Sequence, residues 1–148
     1  MKIHKHGMNM IQDLPVVYVD GASRGNPGAA GIGYAVFDKE GRLLKRGGEF
    51  IGFATSRVAE YFALKEGVEQ ALELGLKSVR FASDSLMVIN QMKRIFKVHN
   101  KDIIPIRRDI LRMLQQFDEV AFSHVARNRN SLADKEANLA IDRELKNR

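Results

Sequence analysis

Residues Val16-Val17-Tyr18-Val19 form an unbroken apolar run that stops at Asp20. Such a run does not alternate between apolar and polar positions, so both of its faces are covered and it belongs at the centre of a sheet. The elements around it must supply that cover, which sets the chain on an α/β path. Asp20 then ends a central strand, the position where ligands gather in sheets of this type. With 148 residues, the chain has room for one ordinary domain.

Residues 1–14 are polar and unpatterned and are expected as a flexible N-terminal tail, with the folded domain over 15–148. The first strand is expected over Val16–Asp20, followed by a loop at Gly21–Gly28, where three glycines and a proline oppose regular structure. Ile32–Phe37 and Leu43–Ile51 read as two further strands joined by a turn at 38–41, giving an antiparallel meander. Between Arg57 and Leu74 the apolar residues Tyr61, Leu64, Val68 and Ala71 recur at helical spacing, and Gly75 closes the helix. A strand over Ser78–Ser83 ends at Asp84, and a helix follows to about Met92. A helix at 106–117, a strand at 120–125 and a helix at 132–145 complete the order. The pattern βββ-α-β-α-α-β-α implies a mixed five-stranded sheet flanked by helices.

Composition narrows the function classes. No cysteine is present, which removes disulfides, thiolate nucleophiles and Cys-ligated metals. No stretch approaches the ~20 apolar residues of a membrane span, and the N-terminus has no apolar signal core. A cytoplasmic protein without a membrane partner is expected. Lys and Arg number 24 against 18 Asp and Glu, for a net charge of +6 that favours polyanionic partners. Most of that excess lies between Lys93 and Arg112, where seven cations face only Asp102 and Asp109. Gly31-x-Gly33 is followed by Val36 where a dinucleotide fingerprint needs its third glycine, and no P-loop exists, so no nucleotide cofactor is expected.

Four carboxylates fall on apolar faces: Asp20 and Asp84 at strand ends, Glu60 one turn before Leu64, and Asp134 in register with Ala137, Asn138 and Ile141. Each has a structural alternative. Asp20 suits an Asp-Gly turn, Asp84 suits a helix cap, and Glu60 suits a first-turn acid. Ser131-x-x-Asp134 has the form of a capping box. Converging in space, the four would repel too strongly to ionise together without counter-charge, which hard divalent cations supply through oxygen ligands. Two such ions about 3.5–4 Å apart can drive phosphodiester hydrolysis.

The motifs carrying these residues resemble those of type 1 ribonuclease H. Tyr18-Val-Asp-Gly-Ala-Ser-Arg-Gly-Asn-Pro-Gly28 is similar to the family's opening motif, and Thr55-Ser-Arg-Val-Ala-Glu-Tyr61 to its second. Ser83-Asp-Ser-Leu-Met-Val-Ile-Asn-Gln91 and His124-Val-Ala-Arg-Asn-Arg-Asn-Ser-Leu-Ala-Asp134 resemble the third and fourth. The resemblance implies a ribonuclease H-like fold with strand order 3-2-1-4-5. It implies that Asp20, Glu60, Asp84 and Asp134 are catalytic metal ligands for two Mg²⁺ ions, with Mn²⁺ as a substitute. The implied activity is endonucleolytic cleavage of the RNA strand of RNA/DNA hybrids, leaving 5′-phosphate and 3′-hydroxyl ends. Asn26 matches the position that contacts a ribose 2′-hydroxyl, and Thr55 and Asn100 match positions that hold a DNA phosphate.

The chain departs from the family pattern at several points. Ser56 and Arg57, expected to touch substrate, replace the usual Asn-Asn pair, and Leu86 stands where a Gln is common. The stretch 90–100 is too short for a tryptophan-bearing basic protrusion, and the chain has no Trp. It thus resembles the compact archaeal and bacterial branch, acting as a monomer, with the Lys93–Arg112 region taking up part of the phosphate contact. For the auxiliary residue of the last motif, His124 and Arg127 compete. The alternatives in function are a non-catalytic hybrid- or RNA-binding module and an exonuclease of the same fold.

Overall fold

The computed structural model describes residues 2–4, 13–94 and 96–148. Its single sheet has six strands: β1 (Lys2–His4), β2 (Val16–Ser23), β3 (Gly28–Phe37), β4 (Leu43–Ala54), β5 (Ser78–Ser83) and β6 (Glu119–His124). The helices are α1 (Ser56–Glu73), α2 (Leu86–Met92), α3 (Ile103–Leu114) and α4 (Ser131–Lys146). Strand order is β1-β6-β5-β2-β3-β4. The β2, β3 and β4 strands pair antiparallel, whereas β5 lies parallel to both β2 and β6. Strands β2–β6 therefore form the expected mixed five-stranded sheet in the order 3-2-1-4-5.

Two expectations need correction. The expected tail over 1–14 contains β1, whose backbone pairs parallel with Glu119–Ala121 and adds a sixth strand at the edge. Residues 1 and 5–12 of that tail lie outside the described residues. The loop expected at Gly21–Gly28 is shorter, because Gly21, Ala22 and Ser23 continue the ladder against Ile32, Gly31 and Ala30. These small residues let β2 run on beneath α1: a Cβ on Gly21 would stand 2.3 Å from the backbone of Ala59.

As the apolar run demands, β2 is central and covered on both faces. On one face α1 packs Tyr61, Leu64, Val68 and Ala71 against Val17 and Val19, all buried. Close approach is possible at Gly67, where a Cβ would meet Val19 at 2.5 Å. On the other face α4 lies across β3 and β4 at Gly31, Gly33 and Gly48. Phe81 of β5 stacks on Phe122 of β6 and meets the edge of Phe117, tying that half of the sheet to the segment that follows α3. Among the described residues, no helix is long and apolar enough to cross a membrane.

Candidate functional site

Four elements deliver the four carboxylates to one edge of the sheet. Asp20 is buried within β2, Asp84 follows the last residue of β5, Glu60 lies in the second turn of α1 and Asp134 in the first turn of α4. Carboxylate oxygens of Asp20, Glu60 and Asp84 all lie within 4.8 Å of one another. Asp134 lines the same cavity as these three and stands close enough to Asp20 to help raise its pKa.

None of the structural alternatives accounts for these placements. Asp20 sits inside a continuing strand rather than a turn. Ser85, not Asp84, caps α2, its Oγ accepting from the Val88 amide at 3.3 Å. The capping box at Ser131-x-x-Asp134 does not form, because Ser131 is already helical and Asn130 holds the cap position. Asn130 instead donates through Nδ2 to the Val19 carbonyl at 2.9 Å, stitching the start of α4 to the strand that carries Asp20. Glu60 accepts from the Gly21 amide at 2.6 Å, so the backbone beside Asp20 orients it.

Electrostatics sets the demands of the cluster. Burial, followed by repulsion from Glu60 and the neighbouring Asp134 and Asp84 carboxyls, holds the Asp20 carboxyl far above the usual carboxylate range. Glu60 is also raised, chiefly by burial, while the Gly21 amide and the Arg127 guanidinium oppose the rise. A cavity of about 350 Å³ collects Asp20, Glu60, Asp84, Asp134, Arg127 and Asn138. The two auxiliary candidates stand in different places. Arg127 faces the carboxylates from a short 3-10 turn over 127–129. His124 ends β6, exposed, with Nε2 3.2 Å from the Asp84 carbonyl oxygen, and does not line that cavity.

A second cavity of about 340 Å³ gathers Asn26, Thr55, Ser56, Arg57, Ser85 and Asn100. Glu60 and Ser56 line both cavities, so the two form one groove. Asn26 Oδ1 accepts from the Ser56 amide at 3.1 Å, which leaves its amide nitrogen as the free donor. Thr55 caps α1, its Oγ1 accepting from the Val58 amide at 3.2 Å. Asn100 Oδ1 accepts from the Asp102 amide at 2.8 Å, again leaving an NH₂ to present.

Asn138 and Arg24 were not singled out as site residues from sequence. Asn138 donates to Asp134 Oδ1 at 3.2 Å, and Arg24 bridges Asn138 Oδ1 at 3.2 Å and Asp142 at 2.8 Å. The signal was the four-residue spacing from Asp134 to Asn138, one helical turn on the same face. Arg24, more than a hundred residues distant, gave none.

Comparison with known proteins places this geometry. Residues 18–140 match the model of the reverse transcriptase-like family. The chain is 37% identical over 125 residues to ribonuclease HI of Halobacterium salinarum, covering 84% of this chain and 63% of that protein. It is also 37% identical over 128 residues to a bifunctional protein of Mycobacterium tuberculosis, of which it spans 35%. The chain thus spans less than two thirds of either curated relative. The crystal structure of the Halobacterium salinarum RNase H1 superposes with a TM-score of 0.85 at 36% identity, covering 86% of this chain and 97% of that one. The LC11 RNase H1 in complex with an RNA/DNA hybrid gives 0.85 at 32% identity, covering 88% and 99%. Four carboxylates gathered from β2, α1, β5 and α4, on a sheet matched nearly end to end by these structures, set the assignment: the chain belongs to the ribonuclease H family, in its type 1 branch.

Proposed function

We propose that this protein is a divalent-metal-dependent endoribonuclease that cuts the RNA strand of RNA/DNA hybrids, leaving 5′-phosphate and 3′-hydroxyl ends. The observation that carries the reading is the convergence of Asp20, Glu60 and Asp84 within 4.8 Å at the head of a groove. The donor set fits a hard cation: all ligands are oxygens, and the crowding that raises Asp20 and Glu60 is relieved by positive charge. Asp20, Glu60, Asp84 and Asp134 would hold divalent ions, two Mg²⁺ with Mn²⁺ as a substitute, and such ions would supply positive charge for activating a water and steadying a leaving 3′ oxygen.

The remaining residues bind and orient. The Asn26 amide nitrogen, fixed by its partner oxygen on Ser56, offers a donor to a ribose 2′-hydroxyl, the group that distinguishes RNA from DNA. Thr55 and Asn100, with Ser56 and Arg57 between them and the carboxylates, hold a phosphate of the DNA strand. Arg127 lies over the carboxylates as a cation that stabilises the phosphate's developing charge.

The test is cleavage of an end-labelled RNA/DNA hybrid with Mg²⁺ or Mn²⁺, beside single-stranded RNA, double-stranded RNA and double-stranded DNA. Internal cuts in the hybrid's RNA alone are expected, and Asp84→Asn should slow them at least ~10³-fold, a loss of about 4 kcal/mol of transition-state stabilisation. Tight hybrid binding without cleavage in either metal would make the protein a binding module, and cutting only from ends would make it an exonuclease. Arg127→Ala should lower kcat roughly 10- to 100-fold, with His124→Ala within about threefold of the native chain. The reverse order would assign the auxiliary role to His124.

A further inference from the structure

Next to the groove, within the basic Lys93–Arg112 region, lies a larger cleft. It begins at His99, beside Asn100, and opens to about 610 Å³ between Arg94 and residues 96–99 on one side and α3 on the other. Arg94, Lys97, Arg107 and Arg108 line it with positive charge, while Phe96 and Ile104 give it apolar surface. Among the described residues no acid lines the cleft, and none of these four cations takes part in an ion pair. Phe96 and Ile104 are 47% and 44% exposed, more than a lone packing role would leave open.

The cleft is held in shape from below. Buried Gln91 accepts from the Tyr61 hydroxyl, donates through Nε2 to the Lys97 carbonyl at 3.3 Å, and its own carbonyl accepts from Arg107 Nη2 at 3.2 Å. One residue, through its side chain and its backbone carbonyl, thus ties α1, Lys97 and α3 together. Arg94 adds a second sign of construction. It follows the end of α2 with φ at +64°, a left-handed conformation in which glycine is the least costly residue. An arginine held there against that preference, with its side chain on the cleft, places the charge where the backbone alone would favour none.

The mixture of cations and apolar floor selects the ligand class. A duplex presents phosphates, and its bases are already paired and stacked, so it would leave Phe96 and Ile104 unused. An unpaired strand offers phosphates and bare base faces together, and aromatic stacking with cationic contacts is how single strands are held. We propose that this cleft takes an unpaired nucleic-acid strand, with a base on Phe96 and phosphates on Arg94, Lys97, Arg107 and Arg108. That the strand runs on from a hybrid in the adjoining groove rests on the functional reading above.

The experiment is fluorescence anisotropy in EDTA with a labelled 12-base-pair hybrid, either blunt or carrying a six-nucleotide unpaired extension. DNA and RNA extensions, at 5′ and 3′ ends, form separate arms because they share the backbone and base chemistry. At least one extension should tighten binding about tenfold, as expected for one well-stacked base with added phosphate contact. Phe96→Ala and Arg94→Gly should each reduce that ratio below threefold. Arg94→Gly should also keep or raise Tm, since it relieves the left-handed backbone, so a loss of binding there is not a loss of fold. Equal affinity for blunt and extended hybrids in every arm, or a tenfold ratio that survives both substitutions, overturns the proposal. Cleavage of the blunt hybrid in Mg²⁺, measured alongside, keeps the two readings apart. Blunt cutting with no gain from extensions sinks only the cleft, whereas an extension gain without cutting sinks only the nuclease.

Discussion

Asp20→Asn is expected to abolish cleavage, by at least ~10³-fold, and at the same time to make the metal-free protein more stable above neutral pH. The opposite effects share one cause. Asp20 is buried among Glu60, Asp84 and Asp134, and burial and mutual repulsion hold its folded pKa far above that of the unfolded chain. An acid shifted upward in this way retains in the folded state a proton that the unfolded state releases. Its stabilising contribution is complete below the unfolded value of 3.8 and drains away as pH rises toward the folded value. An asparagine carries no charge to bury at any pH, so it escapes that loss. At pH 8 in EDTA the variant should exceed the native chain by roughly 2 kcal/mol, and at pH 4 the two should converge. Urea unfolding at the two pH values reads this directly. Millimolar Mg²⁺ should then raise the stability of the native chain and not that of the variant, because ligand binding to the folded state alone stabilises it. A variant less stable than the native chain at pH 8 in EDTA would mean that Asp20 is not under repulsive strain.

The same residue shows what the sequence made legible. Asp20, Glu60, Asp84 and Asp134 could be chosen because a carboxylate on an apolar strand or helical face is conspicuous, and the order of elements fixed which edge they reach. Thr55 and Asn100 are legible only through motif resemblance, since a polar residue at a helix start carries no private signal. Indeed Thr55 also serves as the α1 cap. Three residues, Lys2–His4, could not announce β1, because a strand that short has no period to read and depends on its pairing with β6. Which of His124 and Arg127 faces the carboxylates depends on where β6 stops. The strand runs through His124, and the 3-10 turn after it carries Arg127 round to the carboxylates. Spacing along the chain does not contain that change of direction. The capping-box form at Ser131 lies one residue past the actual cap, Asn130, a shift typical of helix boundaries.

Gly33→Ala should be the most damaging glycine-to-alanine change among the described residues, destabilising the chain by about 3 kcal/mol or more. A Cβ at Gly33 would sit 2.0 Å from the Ala133 carbonyl oxygen and 2.5 Å from the Ala137 nitrogen, both backbone atoms of α4 that cannot rotate aside. Relief requires α4 to lift from β3. Gly48 on β4 approaches the same helix, with a Cβ there 2.5 Å from the Glu136 carbonyl oxygen, so the helix is seated on a floor of glycines rather than on one. Lifting α4 has a chemical consequence, because its first turn carries Asp134 and the preceding Asn130 is bonded to Val19 beside Asp20. Any Gly33→Ala protein that still folds should therefore show a smaller Mg²⁺-induced rise in Tm than the native chain and a lower cleavage rate. Gly41→Ala gives the contrast. Nothing lies within 4 Å of a Cβ at Gly41, and its cost is confined to a left-handed turn with φ at +86° in the β3–β4 hairpin. That variant should lose about 1 kcal/mol and keep the Mg²⁺ response intact. Equal losses of stability and equal Mg²⁺ responses in the two variants would show that α4 is not held by contact at Gly33, and that the fourth carboxylate is not positioned by the glycines of β3.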